Sequence, residues 1–72
     1  MRYSTHYYNE RGEFSFFRLG FLAQADAEQD ACDELTLPTR VGYRAEVRAR
    51  AMPLDKSIIV AHVAPTGEIT YV

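Results

Sequence analysis

The chain has 72 residues, of which 47% are hydrophobic and 25% are charged, and its formal net charge is -2. This length limits the protein to a single domain, residues 1–72, near the lower size limit for independent folding. One cysteine cannot form an intrachain disulfide, and one cysteine with two histidines is too few for an ordinary zinc site. We therefore expect no metal or other cofactor, and the remaining means of stabilising so small a domain are an economical core, a dimer or a partner.

The sequence also argues against a membrane protein. Its apolar runs are too short to cross a bilayer, and the first residues, MRYSTHYYNERGEF, lack the apolar core of a signal peptide. We therefore expect a cytoplasmic protein that does not contact membranes.

The first part of the chain predicts a β-hairpin. Residues 3–8 are rich in Tyr and Thr, which favour strands, and residues 9–13 supply a turn in which Gly12 can take a positive φ. Residues 14–22 form the second strand. Strict alternation would place two sets of side chains on opposite sides of this strand: Ser15, Phe17, Leu19 and Phe21 on one side, and Phe14, Phe16 and Arg18 on the other.

A helical period follows over residues 23–35. Asp26 followed by Gln29 resembles a capping box, and Pro38 pushes the residue before it out of helical geometry. Small side chains would let this helix lie close to a sheet. Apolar residues recur at the spacing of one narrow stripe: Ala27, Ala31, Cys32 and Leu35.

Residues 41–51 are compatible with two structures. In a helix, the apolar residues Tyr43, Val47, Ala51 and Leu54 would align in one stripe. Ala, Arg and Glu, which are frequent here, are also good helix formers. Strict alternation of apolar and charged residues over the whole segment favours a strand. Residues 52–56 would then form a turn built on Pro53.

The last part of the chain predicts two further strands. Residues 57–64 are β-branched and nearly all apolar, which is typical of a central strand buried on both faces. Residues 65–67 make a tight turn, and residues 68–72 pair back as a short final strand. The expected fold class is α+β, an antiparallel sheet in the order β-β-α-β-β-β with one helix packed on one face.

The predicted helix carries a row of carboxylates. Their spacing puts them within about a quarter-turn of one another, opposite the apolar stripe. One interpretation is mimicry of nucleic acid, with the acidic row occupying the phosphate-binding groove of a partner. The alternative is a solvated helix face that keeps the protein soluble. The residues of the row are Asp26, Asp30, Asp33 and Glu34.

The predicted strand over residues 41–51 carries a basic row, opposed within the strand by Glu46. Guanidinium groups in period-two register could bind successive phosphates or an acidic rim on a partner. The alternative is cross-strand pairing with Glu10, Glu13 or Glu68, each pair contributing only a few tenths of a kcal/mol. The candidate partner-binding residues of this row are Arg44, Arg48 and Arg50, with Arg40 just before the strand.

Aromatic side chains are concentrated in the predicted hairpin. An exposed aromatic face is how some sheets stack single-stranded bases, but we favour a core or interface role because the net charge is negative. The residues that could share one face are Tyr3, Tyr7, Phe14 and Phe16.

The sequence offers little to support catalysis. Cys32 falls on the apolar side of the predicted helix, where a free cysteine behaves as a small hydrophobe. His62 lies in the most apolar strand and is expected to be a hydrogen-bonded structural residue. His6 has only Glu10 nearby in sequence. We therefore expect no enzymatic activity and no catalytic residues.

In size, arrangement and charge pattern, the chain resembles small inhibitors encoded by phages and mobile elements. It is similar to the anti-CRISPR proteins directed at type I effector complexes, several of which place a helix on an antiparallel sheet. The resemblance implies a protein that binds a Cas subunit and blocks access of DNA, in the host cell cytoplasm. That group has no shared motif, so no functional residue is carried over.

The sequence therefore predicts a non-enzymatic inhibitor that binds a bacterial protein or ribonucleoprotein complex through a charged surface. The alternatives are a small nucleic-acid-binding protein that uses the arginine-rich strand and the aromatic face, or a structural homodimer module. Direct nucleic-acid binding is the runner-up, and it is less favoured than protein binding because the net charge is negative.

Overall fold

Five strands and one helix follow one another in the computed structural model, which describes residues 1–38, 42–51 and 56–72. The element order confirms the predicted β-β-α-β-β-β arrangement. The elements are β1 (Arg2–Tyr8), β2 (Phe14–Phe21), α1 (Gln24–Thr36), β3 (Arg44–Arg50), β4 (Ile58–Val63) and β5 (Ile69–Tyr71).

The strands form one antiparallel sheet in the order β2-β1-β3-β4-β5. The first strand therefore lies inside the sheet, and α1 connects the edge strand β2 to the central strand β3. β1 and β3 pair along their whole length, from Arg2 opposite Arg50 to Tyr8 opposite Arg44. This unbroken register keeps the side chains of both strands in step, so paired residues of β1 and β3 lie on the same face of the sheet.

The helix covers one face of this sheet and makes the core. Ala27, Ala31 and Leu35 point into the sheet and are fully buried, so the predicted apolar stripe is confirmed. Two of these three side chains are methyl groups, which lets the helix lie close to the strands. The sheet residues buried with them are Tyr7, Ala45, Val47, Ala61 and Val63.

The predicted capping box is wrong. The N-cap residue is Ala23, in an extended conformation and without a side-chain cap, and Asp26 lies in the first turn of the helix instead. The helix ends at Thr36, close to the end that was predicted from the position of Pro38. The backbone N–H of Leu37 donates to the carbonyl of Glu34 at 3.3 Å and closes the last turn.

Two register shifts overturn the strict alternation expected for β2. Its pairing with β1 shifts between Tyr7 and Tyr8, so that Phe14 and Phe17 both lie beside His6. Phe16 stacks instead on the buried Tyr7, with ring centroids 4.5 Å apart. Tyr3, Tyr7 and Phe16 therefore share the helix-covered face, as expected. Phe14 does not, because the bulge moves its side chain across the pleat.

The strand preferred for residues 41–51 is confirmed over Arg44–Arg50. Arg40, Val41 and residues 52–55 of the turn predicted at 52–56 lie outside the described residues. The expectation that 57–64 is buried on both faces is wrong. Ile58 is 64% exposed, whereas Ala61 and Val63 are buried under the helix. The sheet has a helix on one face only in the part of the chain that the structure describes.

Within the described ranges, no helix is both long enough and apolar enough to cross a bilayer.

Candidate binding surface

Among residues 1–38, 42–51 and 56–72, no helix covers the face of the sheet opposite α1. Because Thr5, Tyr7, Ala45 and Val47 point toward the helix, their neighbours along β1 and β3 point away from it. We call this surface the open face. Its residues include Arg2, Ser4, His6 and Tyr8 of β1, Phe14 and Phe17 of β2, Arg44, Glu46, Arg48 and Arg50 of β3, and Ile59 and His62 of β4.

A single carboxylate organises the centre of the open face. Glu46 is only 8% exposed, and it accepts hydrogen bonds from the Tyr8 hydroxyl at 2.8 Å and from Arg48 at 2.7 and 3.1 Å. The guanidinium of Arg44 lies 3.8 Å away. Burial alone would raise the pKa of Glu46, but the hydrogen bonds from Arg48 and Tyr8 outweigh it, and the pKa is lowered.

The structure therefore gives the arginine row a partner on its own strand. Arg44 and Arg48 flank Glu46 at two residues' distance, which places all three side chains on the same face of β3. The cross-strand pairs proposed from sequence involved other carboxylates, Glu10, Glu13 and Glu68. The carboxylate of Glu13 pairs with Arg11 instead, at 3.9 Å in the hairpin turn.

An aromatic patch adjoins this charged centre, made by His6, Phe14 and Phe17. The His6 ring stacks on Phe17 with centroids 5.8 Å apart and lies 6.3 Å from Phe14. Phe14 and Phe17 remain 54% and 51% exposed, so half of each ring is available to a partner. Arg44 lies over the Tyr8 ring at 4.2 Å, which links the patch to the cations.

His6 is set in this patch as a neutral side chain. Its Nε2 and the hydroxyl of Ser4 are 3.0 Å apart in a hydrogen bond. Burial lowers the pKa of His6, and the positive charge of Arg48 lowers it further. A neutral imidazole beside a phenyl ring adds flat, apolar area to the patch.

The acidic row of α1 is divided between structural and exposed carboxylates. Arg18 of β2 binds both oxygens of Asp30 at 3.1 Å and also Glu34 at 3.3 Å. The hydroxyl of Tyr7 donates to Asp30 at 2.6 Å, and that of Thr5 donates to it at 3.4 Å. Asp30 and Glu34 thus hold the helix against the first hairpin.

The other two members of the row are exposed. Asp26 lies in the first turn of the helix, and Asp33 accepts a hydrogen bond from Gln29 at 2.8 Å. The arginines of β3 point away from α1, so the predicted acidic and basic residues form two separate surfaces. The sequence interpretation missed Arg18; the signal was a single cation in a strand otherwise made of apolar and small residues.

The remaining residues considered for catalysis, Cys32 and His62, lie on different elements, α1 and β4. Cys32 is partly buried, its thiol donates to the carbonyl of Gly67 at 3.4 Å, and burial raises its pKa. His62 is exposed on β4, contrary to the buried position that the sequence suggested. Across the described residues, no group of three or more potential ligands is arranged to hold a metal ion.

One end of the open face contains a cleft of about 450 Å³. Arg2, Arg50, Met1 and Leu19 line it, where β1 begins and β3 ends. Arg50 was a candidate from the sequence, whereas Arg2 was missed, because only the pairing of β1 with β3 brings the two together.

Comparisons of the chain with protein-family models, with curated proteins and with solved structures found no match. The chemistry of the open face and of α1 therefore carries the functional conclusion.

Proposed function

We propose that this protein is a non-enzymatic binding protein whose partner docks on the open face. The observation that carries the proposal is the aromatic patch, where Phe14 and Phe17 stay half-exposed beside the arginines of β3. Aromatic and arginine side chains are enriched at the energetic centres of protein interfaces. The opposite face of the sheet is closed by α1, so a partner has one broad sheet surface to bind.

The partner we propose is a bacterial protein or ribonucleoprotein complex that presents an acidic or phosphate-rich surface. Such a partner complements the guanidinium groups on β3, and the phenyl rings supply the apolar contact area. By its resemblance to anti-CRISPR inhibitors, the chain would act in the host cytoplasm by covering the nucleic-acid-binding surface of that complex.

The acidic helix is the alternative docking surface. If the partner bound there through a basic channel, that channel would meet the exposed carboxylates Asp26 and Asp33. Asp30 and Glu34 are engaged by Arg18, and reversing their charge would disturb the helix itself. Charge-reversal at Asp26 and Asp33 therefore tests the acidic surface without removing a tertiary contact.

The experiment compares three forms of the protein as bait for a bacterial lysate. One variant combines Phe14→Ser with Phe17→Ser, and the other combines Asp26→Lys with Asp33→Lys. We expect the wild type and the lysine variant to retain the same bound protein, and the serine variant to lose it. Circular dichroism and thermal unfolding check that both variants are folded.

The outcomes separate the two surfaces. Retention of the same protein by the folded serine variant would overturn docking on the open face. Loss by the lysine variant alone would assign the contact to the acidic helix instead.

A second candidate function is binding of single-stranded nucleic acid. The observation that favours it is the stacked pair His6 and Phe17 with Arg44 nearby on the same face, since exposed rings stack bases and arginines neutralise phosphates. Fluorescence anisotropy with labelled oligo-dT and oligo-rU tests it. Binding that weakens steeply with added salt supports this function, and no anisotropy change at low salt removes it.

Self-association is a third possibility that one feature favours. β2 is an edge strand of eight residues with Phe14, Phe17 and Leu19 exposed, and an unpaired edge can pair with a second copy. Sedimentation equilibrium over a range of concentrations tests it. A monomer at every concentration would rule out a homodimer module.

A further inference from the structure

The outer side of β2 is a long strand edge with which no other described strand pairs. The opposite edge of the sheet is β5, which has three residues against eight in β2. The outward peptide groups of an edge strand can pair with another chain, and natural proteins often place lysine or proline on such strands to prevent this. The sequence of β2, FSFFRLGF, contains neither residue.

The one charged residue of β2 does not protect this edge. Arg18 is held on the helix side of the sheet, where its guanidinium binds both oxygens of Asp30 at 3.1 Å and one oxygen of Glu34 at 3.3 Å. It also lies over the Phe16 ring, 5.3 Å from the ring centroid. The cation is therefore neutralised within its own copy, and a second strand could approach the edge without meeting an uncompensated charge.

Exposed apolar side chains are concentrated on this strand and just after it. Phe14 and Phe17 are half-exposed, and Leu19 and Leu22 are 66% and 70% exposed. Exposed apolar area that is clustered on a small domain marks an interaction surface. A second copy would cover part of this area, and association is one of the ways in which so small a domain gains stability.

The regular section of β2 has Phe17 at its centre. Between the two register shifts, β2 pairs in step with β1 from Phe16 to Arg18, and one shift lies on each side of this section. Register shifts of this kind twist an edge strand and discourage pairing where they occur. A two-fold axis through Phe17 therefore centres a second copy on the most regular section of the edge.

Pairing about this axis makes β2 complementary to itself. In an antiparallel pair centred on Phe17, that ring lies opposite its own equivalent, Arg18 lies opposite Phe16 of the second copy, and Leu19 lies opposite Ser15. Aromatic pairs are favourable cross-strand neighbours, and no like charges face each other. An axis moved by one residue, to Arg18, would instead place the two guanidinium groups directly opposite each other.

We propose that two copies of this protein join through their β2 strands, antiparallel about a two-fold axis at Phe17, into one continuous sheet. Both copies use the same edge, so the contact closes as a dimer and does not continue as a fibre. With the axis perpendicular to the sheet, both helices lie on one side and both open faces on the other. The β3 strands are then five strand spacings apart, roughly 24 Å, and their arginines flank one shared aromatic patch. The self-pairing depends on β2 alone, whereas use of the joined open face by a partner rests on the docking function proposed above.

The test is sedimentation equilibrium of the purified full chain and of two variants that differ only at residue 15. Ser15 and Leu19 are both exposed, so their replacement should leave the fold intact. Ser15→Lys with Leu19→Lys places like charges directly opposite each other across the axis, whereas Ser15→Glu with Leu19→Lys places opposite charges there. We expect a reversible monomer–dimer equilibrium for the wild type. The lysine–lysine variant should dimerise about ten-fold more weakly than the glutamate–lysine variant.

Leu22→Lys combined with Glu10→Gln is the matched control. It changes the net charge as much as the lysine–lysine variant does and also replaces an exposed leucine with lysine, but neither residue lies on β2. We expect this control to dimerise as the wild type does. Circular dichroism checks that all three variants are folded.

Three results would overturn the self-pairing. The first is a wild type that is monomeric at every concentration. The second is equal dimerisation of the two edge variants, because residues 15 and 19 would then not face each other. The third is an equal loss in the control, which would reflect net charge alone. Since this measurement needs no foreign protein, a dimer that captures nothing from a lysate counts against docking only, and a monomer that captures a protein counts against the self-pairing only.

Discussion

At the scale of single residues, the stability of the open face depends on the carboxylate of Glu46. Its neighbours supply a phenol and two guanidinium groups, and together they leave the side chain of Glu46 only 10% exposed. A carboxylate this well enclosed needs its partners, because an unpaired buried charge is strongly unfavourable. The same group orients Arg44 and Arg48, so it acts on the binding surface through them.

The first prediction is that Glu46→Gln lowers the free energy of unfolding by about 2 kcal/mol, since it removes the charge that Arg48 and Tyr8 stabilise. Urea denaturation of the wild type and the variant measures the difference. The matched control is Glu13→Gln, whose carboxylate is 63% exposed and 3.9 Å from Arg11. That exposed pair should contribute less than about 0.5 kcal/mol. Equal losses in the two variants would contradict the role assigned to Glu46.

At the scale of the elements, α1 is held by contacts with the sheet more than by its own sequence. Its apolar stripe is narrow, and its N-terminus has no side-chain cap. Arg18 reaches from β2 to Asp30 and Glu34, and the hydroxyl of Tyr7 reaches Asp30 from β1. The helix and the first hairpin are therefore joined by a polar cluster at the margin of the core.

The second prediction concerns this cluster. Asp30→Ala should destabilise the protein by about 2 kcal/mol, because the hydroxyl of Tyr7 and the guanidinium of Arg18 lose a charged acceptor. Asp33→Ala, on the same helix, should have almost no effect, since Asp33 is exposed and the one contact described for its carboxylate is with Gln29. Thermal and urea unfolding compare the two variants. A larger loss for Asp33→Ala would show that the cluster does not hold the helix.

At the scale of the whole molecule, the two faces of the sheet have different chemistry. The open face is rich in arginine and aromatic rings, whereas the helix side exposes carboxylates at Asp26 and Asp33. The net charge of -2 hides this division. Local fields steer partners, so the two sides would attract different molecules. The polar groups of the open face also make the stability of the whole molecule depend on pH.

The third prediction is a fall in stability with acidification. Folding lowers the pKa of His6 and of Glu46, so the folded state binds fewer protons than the unfolded chain while these groups titrate. Their stabilisation is present above their ordinary pKa values and is lost as the pH falls through the lowered ones. We expect the free energy of unfolding to decline below about pH 6.5, the ordinary value for histidine, and further below 4.5, that for glutamate.

Urea denaturation between about pH 8 and about pH 4 measures this profile, because that range encloses the ordinary pKa values of histidine and glutamate. His6 faces Arg48, Arg50 and Glu46, whose charges partly oppose one another, so burial decides the direction. His6→Gln should remove the upper part of the decline and leave the lower part. Stability that rises on acidification from neutral pH would contradict the prediction.

The local pattern of residues was enough to predict most of the secondary-structure elements and the apolar faces of β3 and α1. Alternation in β3 and the stripe of Ala27, Ala31 and Leu35 both report periodicity, which neighbouring residues impose directly. The sequence also separated Arg44, Arg48 and Arg50 from the apolar side of their strand. The capping box at Asp26 failed because a short motif competes with other possible helix starts, and here the helix begins at Gln24.

Tertiary structure alone established how those faces are used. The register shifts of β2 placed Phe14 and Phe17 together and set Leu19 and Gly20 opposite Ser4, and both depend on pairing with β1. The clamp of Arg18 on Asp30 and the meeting of Arg2 with Arg50 join residues far apart in the chain. Periodicity reports which side chains share a face of one element. Long-range packing decides what each face contacts. The order of residues alone could therefore not show that Asp30 and Glu34 hold the helix against the sheet, or that the arginines of β3 lie on the open face.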